Sequence, residues 1–496
     1  MNATAHPEHA WIREAICWQV YPLGFCDAPL RRPGTDDAGA DAPRAGEAAD
    51  APEVAHRLPR LLGWLDHLLG LGANVLLLNP VFDSVSHGYD TLDHHRIDPR
   101  LGDDEDFDAL VAACHERGIR LVLDGVFNHV SAKHPLVRQA LAAGPDSTAG
   151  ARIRWAGDAP YGFEGNADLV ELNLAEPSVQ DMVVEVMGHW LDRGADGWRL
   201  DAMYAASAET WAPILERVRA AHPEAWILGE VIHGDYPAFA AASGADSITQ
   251  YELWKAIWSA LHDQNLFELA HALGRHQGFR DAAGGGRPLV FVGNHDTTRI
   301  ASQLPDGRDL AVALALLALL PGIPAIYAGD EFGAAAVKEE RAGGDDAIRP
   351  YFPADPAEVV AAAQSADAAV ESADAAAPAA GTPLSTPLPL RLLSADAAPR
   401  ILEVHRRLLG LRRREPWLAD AAVTVRDETL ENTWAELVLT PPGDETSPLT
   451  LALNLSEEDR PAPGAVIEQV SGADMLDGVG PAPDGTVPAH GVAVVR

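Results

Sequence analysis

Short apolar runs rich in branched and aromatic residues recur along the first two thirds of the chain. Each is followed by a longer stretch whose apolar positions repeat at helical spacing. The runs at 16–21, 75–80, 120–127, 197–201, 225–230, 247–251, 288–294 and 324–328 predict strands. The stretches at 105–117, 179–193, 209–221, 251–262 and 309–320 predict helices, and 400–415 resumes the helical pattern. Strand and helix in alternation describe an α/β protein with a parallel sheet wrapped by helices. Eight such units predict a closed (β/α)8 barrel, whose chemistry sits at the carboxyl ends of the strands. An open, doubly wound sheet is the alternative. It ordinarily carries a glycine-rich phosphate loop after an early strand, and neither GxGxxG nor GxxxxGK[ST] occurs here.

Two stretches break the alternation. Residues 129–177, after the third strand, are too long for a plain connection and predict an inserted subdomain. Residues 353–399 are dominated by Ala, Asp, Ser and Pro, a composition expected to stay disordered. The barrel is therefore expected in pieces, 1–128 and 178–352, with its last helix at 400–415 beyond the insertion. The remainder, 416–496, alternates short apolar runs such as 437–440 and 449–455 with turn residues, which predicts a small C-terminal antiparallel β-sandwich. A length of 496 residues suits such a multi-part chain.

Charge narrows the partners. The chain carries 73 acidic and 37 basic residues, a net charge of −36. Such a surface repels phosphates and anionic headgroups, so neither nucleic acid nor a membrane is an expected partner, whereas a neutral sugar is compatible with it. Three cysteines, Cys17, Cys26 and Cys114, cannot build a disulfide framework and contain no CxxC pair, as expected of thiols in a reducing compartment. The segment 1–11 lacks the basic start and apolar core of a secretory signal. The apolar run 310–320 stops at Pro321, well short of the about 20 residues a membrane helix needs. A cytoplasmic location is the expectation.

Polar residues cluster where the predicted strands end. Five motifs stand there: Gly88-Tyr89-Asp90, Asp124-Gly125-Val126-Phe127-Asn128-His129, Gly197-Trp198-Arg199-Leu200-Asp201, Gly229-Glu230-Val231 and Gly293-Asn294-His295-Asp296. A single acid after a strand is ordinarily a helix cap or a solvated end. Three of them, Asp201, Glu230 and Asp296, follow strands four, five and seven and would share one barrel mouth. Carboxyl groups crowded in a cleft have their proton affinities driven apart, which gives one site both an acid and a base. Retaining glycoside hydrolysis needs such a pair about 5–5.5 Å apart. Arg199 stands two residues before Asp201 and so on the same side of a strand. Its guanidinium is expected to keep Asp201 ionised and oriented, with a structural ion pair inside the barrel as the competing role.

In these motifs and their order the chain resembles the α-amylase family of glycoside hydrolases, over residues 10–350 and 398–496. The resemblance implies a (β/α)8 barrel with a subdomain after strand three and a C-terminal β-sandwich. It implies Asp201 as nucleophile, Glu230 as general acid/base and Asp296 as the third carboxylate. It further implies Tyr89 as an aromatic platform under the sugar, His129 and His295 as binders of sugar hydroxyls, and Asp124 as a support for Arg199. Asp345 and Arg349 resemble the family's pair that holds a neighbouring glucose unit. No redox cofactor is implied. A structural calcium is the one metal the resemblance suggests: Asn128 occupies a usual ligand position, and a local hydrogen bond to His129 is the competing reading.

The departures concern substrate length. His94 replaces an aromatic residue that often follows Asp93's position, Ala202-Met203-Tyr204 lacks the Lys-His pair of many starch-degrading members, and Glu171 occupies a variable place in Leu169-Val170-Glu171-Leu172-Asn173. Trp254 and Lys255, after Tyr251-Glu252-Leu253, resemble small-oligosaccharide members such as cyclomaltodextrinases and neopullulanases. The expected activity is retaining hydrolysis of α-1,4 bonds in maltooligosaccharides or related α-glucans. Transglycosylation or glucosyl isomerisation through the same covalent intermediate is the alternative. A catalytically dead, sugar-binding barrel would be expected to have lost one of these acids or Arg199.

Overall fold

The structure is a computed structural model that describes residues 10–32, 53–282, 284, 286–341, 343–372, 384–444 and 446–496. Most of the 1–11 segment read for targeting lies outside the described residues. Eight parallel strands close on themselves: β1 (Cys17–Val20), β2 (Val75–Leu78), β3 (Arg120–Gly125), β4 (Gly197–Leu200), β5 (Trp226–Gly229), β6 (Ser247–Thr249), β7 (Arg287–Phe291) and β8 (Ile323–Tyr327). Each pairs with its neighbours in sequence, and β8 returns to β1 through Trp18 opposite Ile326. The structure is a (β/α)8 barrel and not an open sheet.

Side chains alternate inward and outward along each strand. Cys17, Val75, Leu77, Val122, Trp226, Leu228, Phe291, Ile323 and Ala325 fill the interior as one apolar cluster. Two residues further along β1 and β3 the same inward face becomes polar, at Gln19 and Asp124. Outward residues such as Trp18, Leu76, Leu121, Trp198 and Ile227 meet the surrounding helices. The barrel is thus plugged with hydrocarbon below and lined with charge at its carboxyl end, which decides where chemistry can occur.

The main helices are α1 (Leu65–Leu71), α2 (Asp104–Glu116), α3 (Pro177–Asp192), α4 (Ala208–Ala221), α5 (Tyr236–Ser243), α6 (Tyr251–His262), α7 (Leu310–Leu319) and α8 (Ala398–Arg414). A second helix, Leu266–Asp281, follows α6. The α2 helix starts with a capping box in which Asp103 accepts from the backbone of Asp106 and Asp106 accepts from that of Asp103. The α7 helix is apolar all round and buried at every residue, as expected of a helix enclosed on all sides. It packs against α8 and against the C-terminal strand Gly491–Val495. Among the described residues no helix is long and apolar enough to cross a membrane.

The segment after β3 carries a ribbon, His129–Ser131 against Leu169–Glu171, and a helix, Pro135–Ala143. The expectation of disorder over 353–399 is corrected. A helix spans Val359–Ser372, with Val359 and Ala363 buried, and the chain from Leu384 returns along the barrel rim, bridging Tyr351 to Pro389 and Ala334 to Leu392. Alanine is the strongest helix former, so an alanine-rich stretch with a few burial points folds where composition alone suggests disorder. Residues 373–383 of that expectation lie outside the described residues.

Beyond α8, strands β9 (Ala422–Val425), β10 (Trp434–Thr440), β11 (Leu449–Asn454), β12 (Val466–Ser471) and β13 (Gly491–Val495) form an antiparallel sheet in the order β9-β10-β11-β13-β12. A ribbon of Arg460–Pro461 and Thr486–Val487 makes the thin second layer, with Val487 packed on Trp434, Ala452 and Val495. All three cysteines are free and buried, and burial pushes the thiols of Cys26 and Cys114 up to about 12. They are inert as nucleophiles at neutral pH.

Candidate active site

The barrel register brings the charged residues together. Arg199 on β4 lies opposite Asp124 on β3 and Leu228 on β5, and both charged side chains point inward. Nη1 of Arg199 contacts the two carboxylate oxygens of Asp124 at 2.7 Å each. The same guanidinium reaches Glu230 Oε1 through Nη2 at 2.8 Å and Asp201 Oδ1 through Nη1 at 3.3 Å. Close approach at the base of β4 needs a residue without a side chain: a Cβ on Gly197 would lie 2.4 Å from the carbonyl oxygen of Trp226.

Asp201 and Glu230 are therefore neighbours around one cation, each with 7% of its surface exposed. Glu230 is the better held. Its Oε2 accepts from the Ala202 backbone N–H at 2.9 Å and its Oε1 from the Tyr251 hydroxyl at 3.0 Å, while Asn294 Nδ2 donates to that hydroxyl at 2.9 Å. The backbone bond requires Ala202 to sit in the left-handed region at φ 45°, an uncommon conformation for a residue with a Cβ. Arg199 alone does not set the proton affinity of Asp201. Burial first, and then the Glu230 carboxylate, push Asp201 well above the ordinary carboxylate range, against the pull of Arg199. One guanidinium divided among three carboxylates leaves Asp201 only its longest contact. The Glu230 carboxylate beside it adds to the effect of burial on Asp201.

Asp296 faces the same opening and behaves oppositely. Burial alone would raise it, but the His295 ring and then Arg349 and Arg199 hold its carboxyl well below the usual range. His295 Nε2 lies 2.9 Å from Asp296 Oδ2 and Arg349 Nη2 lies 2.7 Å from Oδ1. Gln19 Nε2 contacts His295 Nδ1 at 3.0 Å and Asn79 Oδ1 at 3.1 Å. Donation by the amide to Nδ1 leaves the ring hydrogen on Nε2, where it faces Asp296. Asn79 Nδ2 in turn donates to Asp124 Oδ2 at 2.9 Å and to the Tyr89 hydroxyl at 3.1 Å.

The remaining sequence-predicted residues fall around this core. Tyr89 is 8% exposed. Its hydroxyl donates to Asp124 Oδ2 at 3.0 Å and touches His295 Nε2, so the ring is fixed in the floor of the mouth. His129 is buried, its ring stacked 4.5 Å from Phe163, and its Nε2 has no protein partner. Burial and the nearby His87 lower it to about 4, so the ring is neutral near pH 7. Arg349 does not stand free for a neighbouring sugar. It is tied to Asp296, donates from Nε to the His295 carbonyl at 2.8 Å, and lies 3.3 Å from Asp345. Lys338 Nζ bridges Asp345 Oδ1 and the Asp296 carbonyl, both at 2.9 Å.

The surroundings of Asn128 are poor in free carboxylates. The residue lines a hollow of about 220 Å³ with Arg154, Glu171, Asn173 and Ser207. The one carboxylate lining it, Glu171, is paired with Arg154 at 2.7 Å, and Asn128 Nδ2 lies 3.4 Å from His129 Nδ1. Calcium requires 6–8 oxygens, and a guanidinium beside a lone, already paired carboxylate does not supply them.

Sequence reasoning missed Gln19, Asn79, Tyr251 and Lys338. Gln19 was findable as a polar residue two positions after Cys17 inside an apolar strand, and Asn79 as the polar end of β2. Tyr251 and Lys338 reach the site through loop and helix placement, for which no local signal exists.

Comparison with known proteins agrees with this geometry. The family profile described as alpha amylase, catalytic domain matches residues 61–150 and 154–376. A cyclomaltodextrinase from Bacillus sp is 29% identical over 340 residues, covering 65% of this chain and 60% of that protein. The intracellular maltogenic amylase of Bacillus subtilis (strain 168) is 29% identical over 345 residues, covering 65% and 56%. Neopullulanase 2 of Thermoactinomyces vulgaris is 30% identical over 355 residues, covering 66% and 58%. This chain thus matches over 60% or less of the length of these curated relatives. Among solved structures, the ligand-free cyclic α-maltosyl-(1→6)-maltose hydrolase from Arthrobacter globiformis superposes with a TM-score of 0.71 at 23% identity over 99% of both chains. The α-amylase from H.orenii does so at 0.70 and 21%, over 97% of this chain and 99% of that one. At those identities the structural likeness speaks for the fold alone. The profile, spanning most of the barrel and including Asp201, Glu230 and Asp296, places the chain in the family of α-amylase catalytic domains.

Proposed function

We propose that the chain is a retaining glycoside hydrolase that cleaves α-1,4-glucosidic bonds in maltooligosaccharides or related α-glucans. The observation that carries this reading is the Arg199 guanidinium, which holds Glu230 at 2.8 Å and Asp201 at 3.3 Å side by side at the barrel mouth. Two carboxyls side by side around one cation suit double displacement, in which one gives a proton while its neighbour attacks.

In the first step Glu230 gives its proton to the glycosidic oxygen while Asp201 attacks the anomeric carbon. The leaving sugar departs with that proton, and the glucosyl unit stays esterified to Asp201. The Tyr251 and Ala202 donors then stabilise the new Glu230 carboxylate, which replaces the lost charge of Asp201 as a counter-ion to Arg199. Glu230 next removes a proton from water, which attacks the same carbon and frees Asp201. Asp296, ionised throughout, faces the positive charge that develops on the sugar ring. The neutral His129, with Nε2 unpartnered, is available to a sugar hydroxyl, and Tyr89 offers the face beneath it. The names of the relatives support a small α-glucan substrate. Three free cysteines and the intracellular maltogenic amylase among the relatives support a cytoplasmic setting.

The test is product analysis. Incubation with maltotriose, pullulan and cyclodextrins, with proton NMR of the first-formed anomer, should show α-configured products from at least one substrate. β-configured first products would remove the retaining mechanism. Products longer than the substrate would establish transfer to sugar in place of water, and no turnover of any α-glucan would remove the hydrolase reading.

A further inference from the structure

The Tyr204 hydroxyl donates to Glu164 Oε1 at 2.7 Å. The two residues come from different walls of the mouth: Tyr204 follows β4, and Glu164 lies in the segment inserted after β3. From this contact the geometry points to a bar across the leaving-group side of the cleft: Glu164 and Tyr204 are specificity-determining residues that restrict the enzyme to short leaving groups. The inference rests on the hydrolase reading above and adds to it which substrates enter.

The side of the cleft follows from the acid. A leaving group departs past the group that protonates it, here Glu230. Tyr204 stands beside that residue: its backbone N–H donates to the Glu230 carbonyl at 3.2 Å, and its ring meets His233 edge-on at 5.7 Å, three residues beyond Glu230. Asp296, Arg349, Asp345 and Lys338 occupy the loops after β7 and β8. A chain threaded from that cluster past Glu230 runs toward the Glu164–Tyr204 line.

The bar is held from both ends. Glu164 sits at φ 50°, one of five non-glycine residues with positive φ among the described residues, and Ala202, two residues before Tyr204, is another. Phe163, next to Glu164, is stacked on His129 and so tied to the floor of the site. Glu164 is itself exposed and has no basic partner among the described residues. Its visible tie is the hydroxyl across the gap, which makes the contact removable without cutting into the core. Strained backbone at a rim contact is common where a loop is held for function.

Two variants open the bar from opposite sides. Glu164→Asn keeps a residue that tolerates positive φ and is too short to reach, while Tyr204→Phe removes only the hydroxyl. The readout is kcat/KM on maltohexaose relative to 4-nitrophenyl α-maltoside, whose leaving group is a single small ring. Each variant is expected to raise this ratio by about fivefold or more, and the double variant by no more than either single one. An unchanged ratio in both variants, or effects that multiply in the double variant, would overturn the inference while leaving the hydrolase reading in place. A wild-type enzyme that turns over neither substrate would remove both.

Discussion

Arg199 Nη1 lies 2.7 Å from each carboxylate oxygen of Asp124, its register partner on the neighbouring strand, with both side chains sealed from solvent. A pair in this setting contributes little net stability when intact but is costly to break, because the surviving charge has no water to turn to. Asp124 also accepts from Tyr89 and Asn79, so one carboxylate fixes the cation and the Tyr89 ring together. Asp124→Asn is expected to destabilise the fold by about 3–5 kcal/mol in urea unfolding. It should also lower kcat/KM by about 100-fold through misplacement of Arg199. Full stability with full activity would show that Arg199 does not depend on this brace.

Asp201 is expected to trade stability for chemistry. A carboxyl whose affinity for protons rises on folding favours the fold while protonated, and that contribution is lost as pH climbs above the ordinary carboxylate range. Asp201→Asn removes the buried charge. It should raise the melting temperature by a few degrees at pH 7, with the gain shrinking toward pH 3–4, while turnover falls by about 10⁴-fold or more. A melting temperature that drops at pH 7 would contradict the buried, crowded state of this carboxyl.

Glu230 should reveal itself through leaving groups. Glu230→Gln keeps the Arg199 and Ala202 neighbourhood nearly isosteric but has no proton to give. Hydrolysis of maltooligosaccharides should fall steeply, and that of activated aryl α-maltosides much less. The same change removes the like charge beside Asp201, so the acidic limb of the pH–rate profile should move to lower pH. Equal loss on both substrate types would exclude Glu230 as the acid.

Chelation offers a check on the inserted segment. With Glu171, the one carboxylate in the hollow at Asn128, engaged by Arg154, EDTA is expected to leave activity and melting temperature unchanged. A fall in either that added calcium restores would place a metal ion in this molecule after all.

The eight strand positions, the inserted segment and the acids at strand ends were legible because they are local facts: a run of apolar residues, its length and its first polar neighbour. Spacing marked Asp201, Glu230 and Asp296 as acids at strand ends, and the resemblance to the α-amylase family supplied their separate roles. The alanine-rich stretch was misread because composition does not record that Val359 and Ala363 find a surface to cover. Asp201's proton affinity was not legible because the spacing of Arg199 and Asp201 records neither their burial nor that Asp124 and Glu230 hold the same cation more closely.

The sequence by itself determined the barrel, the order of its polar ends and which side chains carry charge, since strand period and strand termination act over a few residues. Tertiary structure alone decided who touches whom. Tyr89 meets His295 across 206 positions, Gln19 reaches the same ring across 276, and Glu164 finds Tyr204 across 40. Closure of the barrel sets those meetings, because register and strand tilt are properties of the whole ring of strands. Proton affinities at such a site follow from burial and neighbouring charge, which exist only once the ring has closed.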